Sequence, residues 1–145
     1  MASRPFYETS DDLSREREVA DEISRAWKCK VRKMPVSYRV DYALFSANTL
    51  LAWLEIKCRT NAMQAYDTYM ISADKIMSGL DLAHHANAPF LLVVKWSDGI
   101  GYTKINKLSD YKIEFWGRAD RGDPNDMEPV ALIPIENFER IAVAA

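Results

Sequence analysis

Residues 50–58 constrain this chain most, because they are apolar throughout except for Glu55 and Lys57 near their end. A strand that is apolar on both faces is typical of the buried centre of a sheet. Residues two apart in a strand point to the same face, so Glu55 and Lys57 project together where the strand ends, with Arg59 in line beyond them. Charged side chains in such surroundings are costly unless something compensates them. The segment therefore predicts a central strand that carries a charged site at its end.

A second carboxylate comes from the segment before it. Residues 38–45 are rich in aromatic and β-branched residues and include Asp41, which predicts another strand. The polar residues 46–49 form a short turn, so the two strands are expected to be antiparallel neighbours. Pairing about this turn places Asp41 broadly opposite the Cys58 end of the next strand, within reach of Glu55. Two carboxylates and one lysine are therefore expected to meet at the edge of an apolar sheet.

A divalent cation explains this grouping. Mg²⁺ prefers hard oxygen ligands and is often held by one or two carboxylates together with substrate phosphate. Asp41 and Glu55 would supply the carboxylates, and the carbonyl of Ile56 a third oxygen. The cation would activate a bound water and polarise the scissile phosphate. Lys57 would orient or deprotonate that water, or neutralise the charge that develops on the phosphate. We expect Mg²⁺ as the cofactor, with Mn²⁺ able to replace it.

The remaining pattern alternates helices and strands. Ser10 is expected to cap a first helix, in which Glu16 lies on the apolar face and reaches the sheet, so we assign it to the outer metal sphere or to a second metal. Strands are predicted at residues 29–33, 90–96, 100–105 and 130–135, and a loop at 116–128. A second helix runs from Ser72 as far as Asn87, and its expected apolar stripe is Ile76, Met77, Leu80 and Ala83. This order predicts an α/β fold with a mixed central sheet flanked by helices, in one domain over residues 1–145.

Charge is distributed unevenly along the sequence. The formal net charge is −2 and the pI about 5.7, which argues against a general nucleic-acid coat protein. Between Lys28 and Arg59, however, Asp41 and Glu55 are the only acids. The basic residues of the same stretch are Lys28, Lys30, Arg32, Lys33, Arg39, Lys57 and Arg59. A basic field around two isolated carboxylates is what a metal-dependent phosphodiesterase needs.

This arrangement resembles the PD-(D/E)XK nucleases, whose motif is an Asp followed by (Asp/Glu)-x-Lys on the next strand. The matching residues are Val40-Asp41-Tyr42 and Glu55-Ile56-Lys57, with Val40 in the position of the family's Pro. Glu16-Arg17-Glu18-Val19 and Val31-Arg32 resemble segments of the archaeal Holliday-junction resolvases, which favours Glu16 over Glu18 and Glu22. The resemblance covers roughly residues 13–94, and small phage-encoded nucleases look most similar.

The resemblance implies a restriction-endonuclease-like core and magnesium-dependent hydrolysis of DNA that leaves a 5′-phosphate. It also implies a contact to substrate phosphate from Lys75 on the second helix. The basic residues Arg59 and Arg32 are likewise expected to contact phosphate. A junction-selective endonuclease, which should be a symmetric homodimer, competes with a nonspecific or end-processing nuclease. The alternative from another class is a non-catalytic nucleic-acid-binding or protein-interaction module that retains the fold.

Other features restrict the setting. No apolar run approaches the roughly 20 residues that a membrane span requires, and we expect no membrane partner. Cys29 and Cys58 are too few for a disulfide framework and are expected to be reduced packing residues. We therefore expect a cytoplasmic protein, in the host cell's cytoplasm if the gene is phage-encoded.

Overall fold

A computed structural model describes residues 10–117 and 127–141. The helices and strands, in chain order, are α1 (Ser10–Trp27), β1 (Lys30–Lys33), β2 (Tyr42–Ser46), β3 (Thr49–Cys58), β4 (Thr68–Ser72), α2 (Ala73–Ala86), β5 (Phe90–Trp96), β6 (Gly99–Ile105), β7 (Lys112–Gly117), β8 (Met127–Pro134) and β9 (Glu139–Ile141). No helix among these residues is long and apolar enough to span a membrane.

The main sheet has six strands in the order β1-β2-β3-β5-β6-β9. β3 pairs in parallel with β5, and every other neighbouring pair is antiparallel, so the sheet is mixed. The parallel pair is connected through α2, as a crossover requires. The predicted central position of β3 is confirmed, because two strands flank it on one side and three on the other.

Each face of the main sheet is covered by different elements. On one face, α1 buries Val19 and Ile23 against Leu54 and Ile56 of β3. On the opposite face, α2 and a second sheet of order β4-β8-β7 cover a larger core. Alternation along β3 therefore turns Leu54 and Ile56 toward α1, and it turns Trp53, Glu55 and Lys57 toward α2.

A bulge between β2 and β3 sets the position of Asp41. Ser46 pairs with Thr49 and Phe45 with Leu50, but Leu44 pairs with Ala52, which leaves Leu51 as an extra residue. Beyond the bulge Tyr42 pairs with Leu54, so the next step along both strands brings Asp41 opposite Glu55. Asp41 was predicted broadly opposite the Cys58 end and within reach of Glu55; the bulge shifts it by one residue toward that end, from Leu54 to Glu55, and so onto the Glu55 face.

The segment before Asp41 also differs from the prediction. A strand was expected from residue 38, but β2 begins at Tyr42, and Val36–Tyr38 is a 3₁₀ turn. The turn ends at Arg39, which has a left-handed backbone with φ 62°. The Met34 amide then donates to the Asp41 carbonyl at 2.9 Å, so the loop is closed across its base. This turn is stabilised by its own hydrogen bonds, which a strand pattern cannot reveal.

Three strands of the described residues, β4, β7 and β9, are not among those predicted from the sequence. The expected loop at 116–128 includes the end of β7 and the start of β8, with residues 118–126 outside the described part. The strand expected at 130–135 is β8, which ends at Pro134, and Cys29 precedes β1. In α2, Met77 is 57% exposed because Ala73, Ile76 and Gly79 form the buried stripe.

Candidate active site

Glu55 is the centre of the charged site. It lies in the central strand with 0% exposure, and it faces α2. Its Oε1 atom is 3.4 Å from Nζ of Lys57, two residues further along the strand. The same oxygen is 3.6 Å from Nζ of Lys75, in the first turns of α2. The structure therefore brings together the predicted pair and a second lysine that comes from a different element.

Asp41 acts electrostatically on this carboxyl group. Burial, and after it the charge of the neighbouring Asp41, raise the pKa of Glu55 from 4.5 to about 8. The ammonium groups of Lys57 and Lys75 work in the opposite direction and lower it. Burial beside a second acid therefore disfavours the ionised form of Glu55, and additional positive charge would favour it.

The residues present suit a divalent cation. Both Glu55 oxygens are buried and accept no hydrogen bond of ordinary geometry from the described residues, although Oε1 has its two ion pairs. Buried carboxylates of this kind normally have hydrogen-bond or metal partners. Among residues 10–117 and 127–141, no set of three or more His, Cys, Asp and Glu side chains clusters as a metal cage. Two carboxylates are nevertheless sufficient for Mg²⁺, which keeps several of its waters.

Lys57 remains an ammonium group at neutral pH. Burial lowers its pKa, but the charges of Glu55 and then Asp41 outweigh burial, and the pKa of Lys57 is raised above its usual 10.5. Its side chain is 33% exposed, so it is accessible from outside the sheet. It is therefore a cation that contacts Glu55 on one side and is open to a substrate on the other.

Glu16 reaches the same end of β3 from the other face. It is 8% exposed on α1, which packs against the side of the sheet that carries Leu54 and Ile56. Its charge contributes to the raised pKa values of Lys57 and Cys58. The placement agrees with a residue that reaches the sheet, and its assignment to an outer or second metal sphere stays a prediction.

Arg59 and Tyr69 form a unit that the sequence did not predict. The Arg59 guanidinium lies 4.8 Å from the centre of the Tyr69 ring, and Nη1 donates to the Cys58 carbonyl at 3.1 Å. Tyr69 is buried, with edge contacts to Trp96 and Phe138. Because β4 pairs only with distant β8, local pattern gave no signal for this strand. The stacking holds an arginine at the exit of β3.

Arg32 lies outside the central cluster. It is exposed on β1, the edge strand, and pairs with Ala43, so it faces the α2 side as Glu55 does. Two strand spacings of roughly 4.8 Å each separate β1 from β3. This distance suits a contact to a substrate strand better than a contact to the reacting group.

The fold is similar to those of solved nucleases. Hjc, a Holliday junction resolvase from the archaeal hyperthermophile Archaeoglobus fulgidus, matches with a TM-score of 0.63 and 16% identity over 92% of this chain and 93% of that one. D212, a nuclease from a fusselovirus, matches with a TM-score of 0.50 and 16% identity over 94% and 90%. The predicted restriction-endonuclease-like fold is confirmed. Among curated proteins, none matches the sequence.

A family model gives the assignment. The model described as "Phage putative PDDEXK endonuclease" matches residues 2–141, which is nearly the whole chain. The predicted motif, Asp41 with Glu55-Ile56-Lys57, lies within this range and converges at one place in the fold. Nucleases of the PD-(D/E)XK type generally depend on a divalent metal. This chain belongs to the phage PD-(D/E)XK endonuclease family and is an enzyme that hydrolyses DNA.

Proposed function

We propose that this protein is a Mg²⁺-dependent endonuclease that cuts branched DNA, and that Asp41, Glu55 and Lys57 carry out its chemistry. The observation that supports this most is the convergence on Glu55. A fully buried carboxyl has a second acid and two lysines around it, at the open end of a central strand. Such a concentration of ionisable groups in an apolar sheet is unfavourable for folding, and groups of this kind are typical of active sites.

Asp41 and Glu55 would hold the cation, with the Ile56 carbonyl as a further oxygen and Mn²⁺ as a substitute. When bound, the cation would supply Lewis-acid polarisation of the phosphate and a water of lowered pKa. The two lysines favour the ionised form of Glu55, since both of them lower its pKa, and a bound cation would favour that form further.

Lys57 is proposed to stabilise charge on the scissile phosphate. The raised pKa of this lysine leaves little free amine at neutral pH, so removing a proton from water is the least favoured of its three predicted roles. Its ammonium group can instead donate to a phosphate oxygen as negative charge develops there. Glu16 would act from the outer metal sphere, across the edge of the sheet.

The substrate strand is proposed to pass over the basic surface around this site. Arg59, held on the Tyr69 ring, would bind a phosphate next to the cut. Lys75 lies 3.6 Å from Glu55 Oε1, and Arg32 lies on the edge strand. The product would carry a 5′-phosphate.

Selectivity for branched DNA is supported by the likeness to the Hjc resolvase. Two opposed cuts at a junction need two active sites, so we propose a symmetric homodimer. Light scattering combined with a four-way-junction assay tests both points. Paired cuts by a dimer would agree with the proposal, and nicking of linear duplex by a monomer would contradict it.

Digestion with Mg²⁺, Mn²⁺ or EDTA over linear, single-stranded, branched and RNA substrates tests the activity itself. We expect cleavage only with a divalent cation, most rapidly on branched DNA. Divalent-dependent cleavage of RNA alone would show that the proposed substrate is wrong.

A further inference from the structure

A cleft lies between α2 and the turn that precedes Asp41, and its lining residues have no part in the chemistry described above. It has a volume of about 350 Å³, which is within the range of roughly 300–1,000 Å³ for small-molecule sites. One wall is the turn before Asp41, and the other is α2. The lining residues are Ser37, Tyr38, Arg39, Ser78, Asp81 and Leu82.

The turn that forms the first wall is held in place. The Tyr38 amide donates to the Pro35 carbonyl at 3.0 Å, and the Arg39 amide donates to the Val36 carbonyl at 3.0 Å. The Tyr38 ring has its centre 6.4 Å from that of Trp53, at an angle of 42°. It nevertheless remains 46% exposed. A fixed backbone thus presents an aromatic surface to the cleft.

Both walls contain or contact residues that are close in sequence to the proposed catalytic and substrate-binding residues. Trp53, against which Tyr38 rests, precedes Glu55 by two residues on the same face of β3, about 7 Å along the strand. Ser78 follows Lys75 by three residues in α2, a rise of about 4.5 Å. Arg39 precedes Asp41 by two residues. The cleft is therefore connected through short stretches of chain to Glu55, Lys75 and Asp41, and a nucleotide bound in it would lie close to the scissile phosphate.

The lining discriminates between the parts of a nucleotide. The Tyr38 ring offers a stacking surface, and the hydroxyls of Ser37 and Ser78 donate or accept hydrogen bonds. The Asp81 carboxylate, which is 3.5 Å from His85 Nδ1, accepts from a base N–H but repels a phosphate. A phosphate is better placed at Arg39. This chemistry favours a base inside the cleft.

We propose that this cleft binds the unpaired base of a nucleotide next to the scissile phosphate, stacked on Tyr38. The inference rests on the proposed function and deepens it, because a base inside a duplex is stacked and cannot enter the cleft. Unpaired nucleotides occur where strands separate at a branch, so the cleft supplies a physical basis for selecting such DNA.

The experiment uses branched DNA in which each nucleotide flanking the branch point is made abasic in turn. Binding is measured in Ca²⁺, and single-turnover cleavage is measured in Mg²⁺. For the unchanged protein, removal of the base at one of these positions should lower DNA affinity roughly 5- to 100-fold, as expected for the loss of one base–aromatic stack. Tyr38→Leu should bind the intact DNA that much more weakly and should show no further loss with the abasic DNA.

Two variants serve as controls. Tyr38→Phe keeps the ring and should behave as the unchanged protein does. Tyr66→Leu removes a tyrosine that is 66% exposed and does not line the cleft, so it should keep full sensitivity to the abasic position. Circular dichroism checks that each variant is folded.

The outcomes separate the two proposals. If Tyr38→Leu keeps the abasic effect, or if Tyr66→Leu loses it equally, the cleft does not bind a base. The same conclusion follows if no abasic position affects the unchanged protein. If the unchanged protein binds with the predicted position dependence but never cuts, the proposed function fails while the cleft assignment holds.

Discussion

At the scale of single residues, Glu55 is an ionisable side chain whose burial is unfavourable for folding. Its carboxyl is wholly buried in the central strand, beside a second acid, and burial alone is the largest cause of its raised pKa. Lys57 and Lys75 offset part of that effect from 3.4 and 3.6 Å. The Glu55 carboxyl group can therefore be neutral or ionised near neutral pH, and nearby positive charge favours the ionised form.

The first prediction concerns stability against pH in EDTA. Between 4.5, the ordinary pKa, and about 8, the folded protein holds a proton on Glu55 that the unfolded chain has released. The contribution of Glu55 to the free energy of unfolding is thus fully present below pH 4.5. It is lost as pH rises through about 8, by an amount on the order of a few kcal/mol. Mg²⁺ should restore stability at pH 8.

Urea unfolding at pH 5 and pH 8 measures this effect. Glu55→Gln should make the free energy of unfolding less dependent on pH. At pH 8 this variant should be more stable than the unchanged protein. Glu136→Gln, at an exposed position, should follow the unchanged protein. A Glu55→Gln profile that declines as steeply as the original would show that another group is responsible.

The second prediction concerns Lys57. Lys57→Ala should keep Mg²⁺ binding in calorimetry while single-turnover cleavage falls on the order of 10²–10³-fold, as when one preorganised electrostatic donor is deleted. DNA binding in Ca²⁺ should change much less, because other basic residues supply most phosphate contacts. Lys57→Arg should rescue only in part, since a planar fork replaces a compact charge.

Lys104→Ala, which removes an exposed lysine from β6, is the matched control and should cut normally. If Lys57→Ala also cuts normally, or fails only because it no longer binds DNA, Lys57 has no catalytic role.

At the scale of elements, the site depends on the bulge between β2 and β3 and on the face that α1 turns toward the sheet. The bulge at Leu51 decides which face Asp41 takes, because without it Asp41 would align with Leu54 and turn toward α1. Helix α1 presents Glu16 to the sheet, whereas Glu18 is exposed and Glu22 pairs with Lys95 at 3.6 Å.

The third prediction separates these glutamates. Glu16→Gln should lower cleavage far more than Glu18→Gln or Glu22→Gln, because only Glu16 is buried at the end of β3. Cleavage rates of the three variants, at Mg²⁺ concentrations from limiting to saturating, measure the difference. If Glu22→Gln lowers the cleavage rate most of the three variants, the role assigned to Glu16 on α1 is wrong.

The fourth prediction concerns the contact between α2 and β5. A Cβ atom at Gly79 would lie 2.5 Å from atoms of the fully buried Phe90 ring. The helix-propensity gain of Gly79→Ala, at most about 1 kcal/mol, is smaller than the roughly 1–3 kcal/mol typical of overpacking. The variant should therefore unfold at a lower temperature, and it should cut more slowly because α2 also carries Lys75.

Met77→Ala, on the exposed side of the same helix, should change the melting temperature little. A rise in melting temperature for Gly79→Ala would mean that Phe90 gives way easily and that the fit of α2 is not tight.

At the scale of the molecule, the central helix-and-strand order was predictable because its signals are local. Continuous apolar strands such as β3 and β5, and the break at Pro89, can be read from the residues themselves. The second sheet was not predictable, since β4 pairs with β8 some sixty residues later. The same limit explains why the grouping of Asp41, Glu55 and Lys57 could be predicted while the Arg59–Tyr69 stack was missed.

The proposal that Asp41 and Glu55 hold Mg²⁺ predicts that removal of either side chain abolishes Mg²⁺ binding and DNA cleavage together. Calorimetric titration of Mg²⁺ into Asp41→Ala and Glu55→Ala, beside single-turnover cleavage by the same samples, tests this most directly. We expect both variants to stay folded, to lose measurable Mg²⁺ binding and to stop cutting DNA, while Asp110→Ala, at an exposed position, keeps both properties. Unchanged Mg²⁺ affinity in both site variants would contradict the assignment and place the metal elsewhere in the protein.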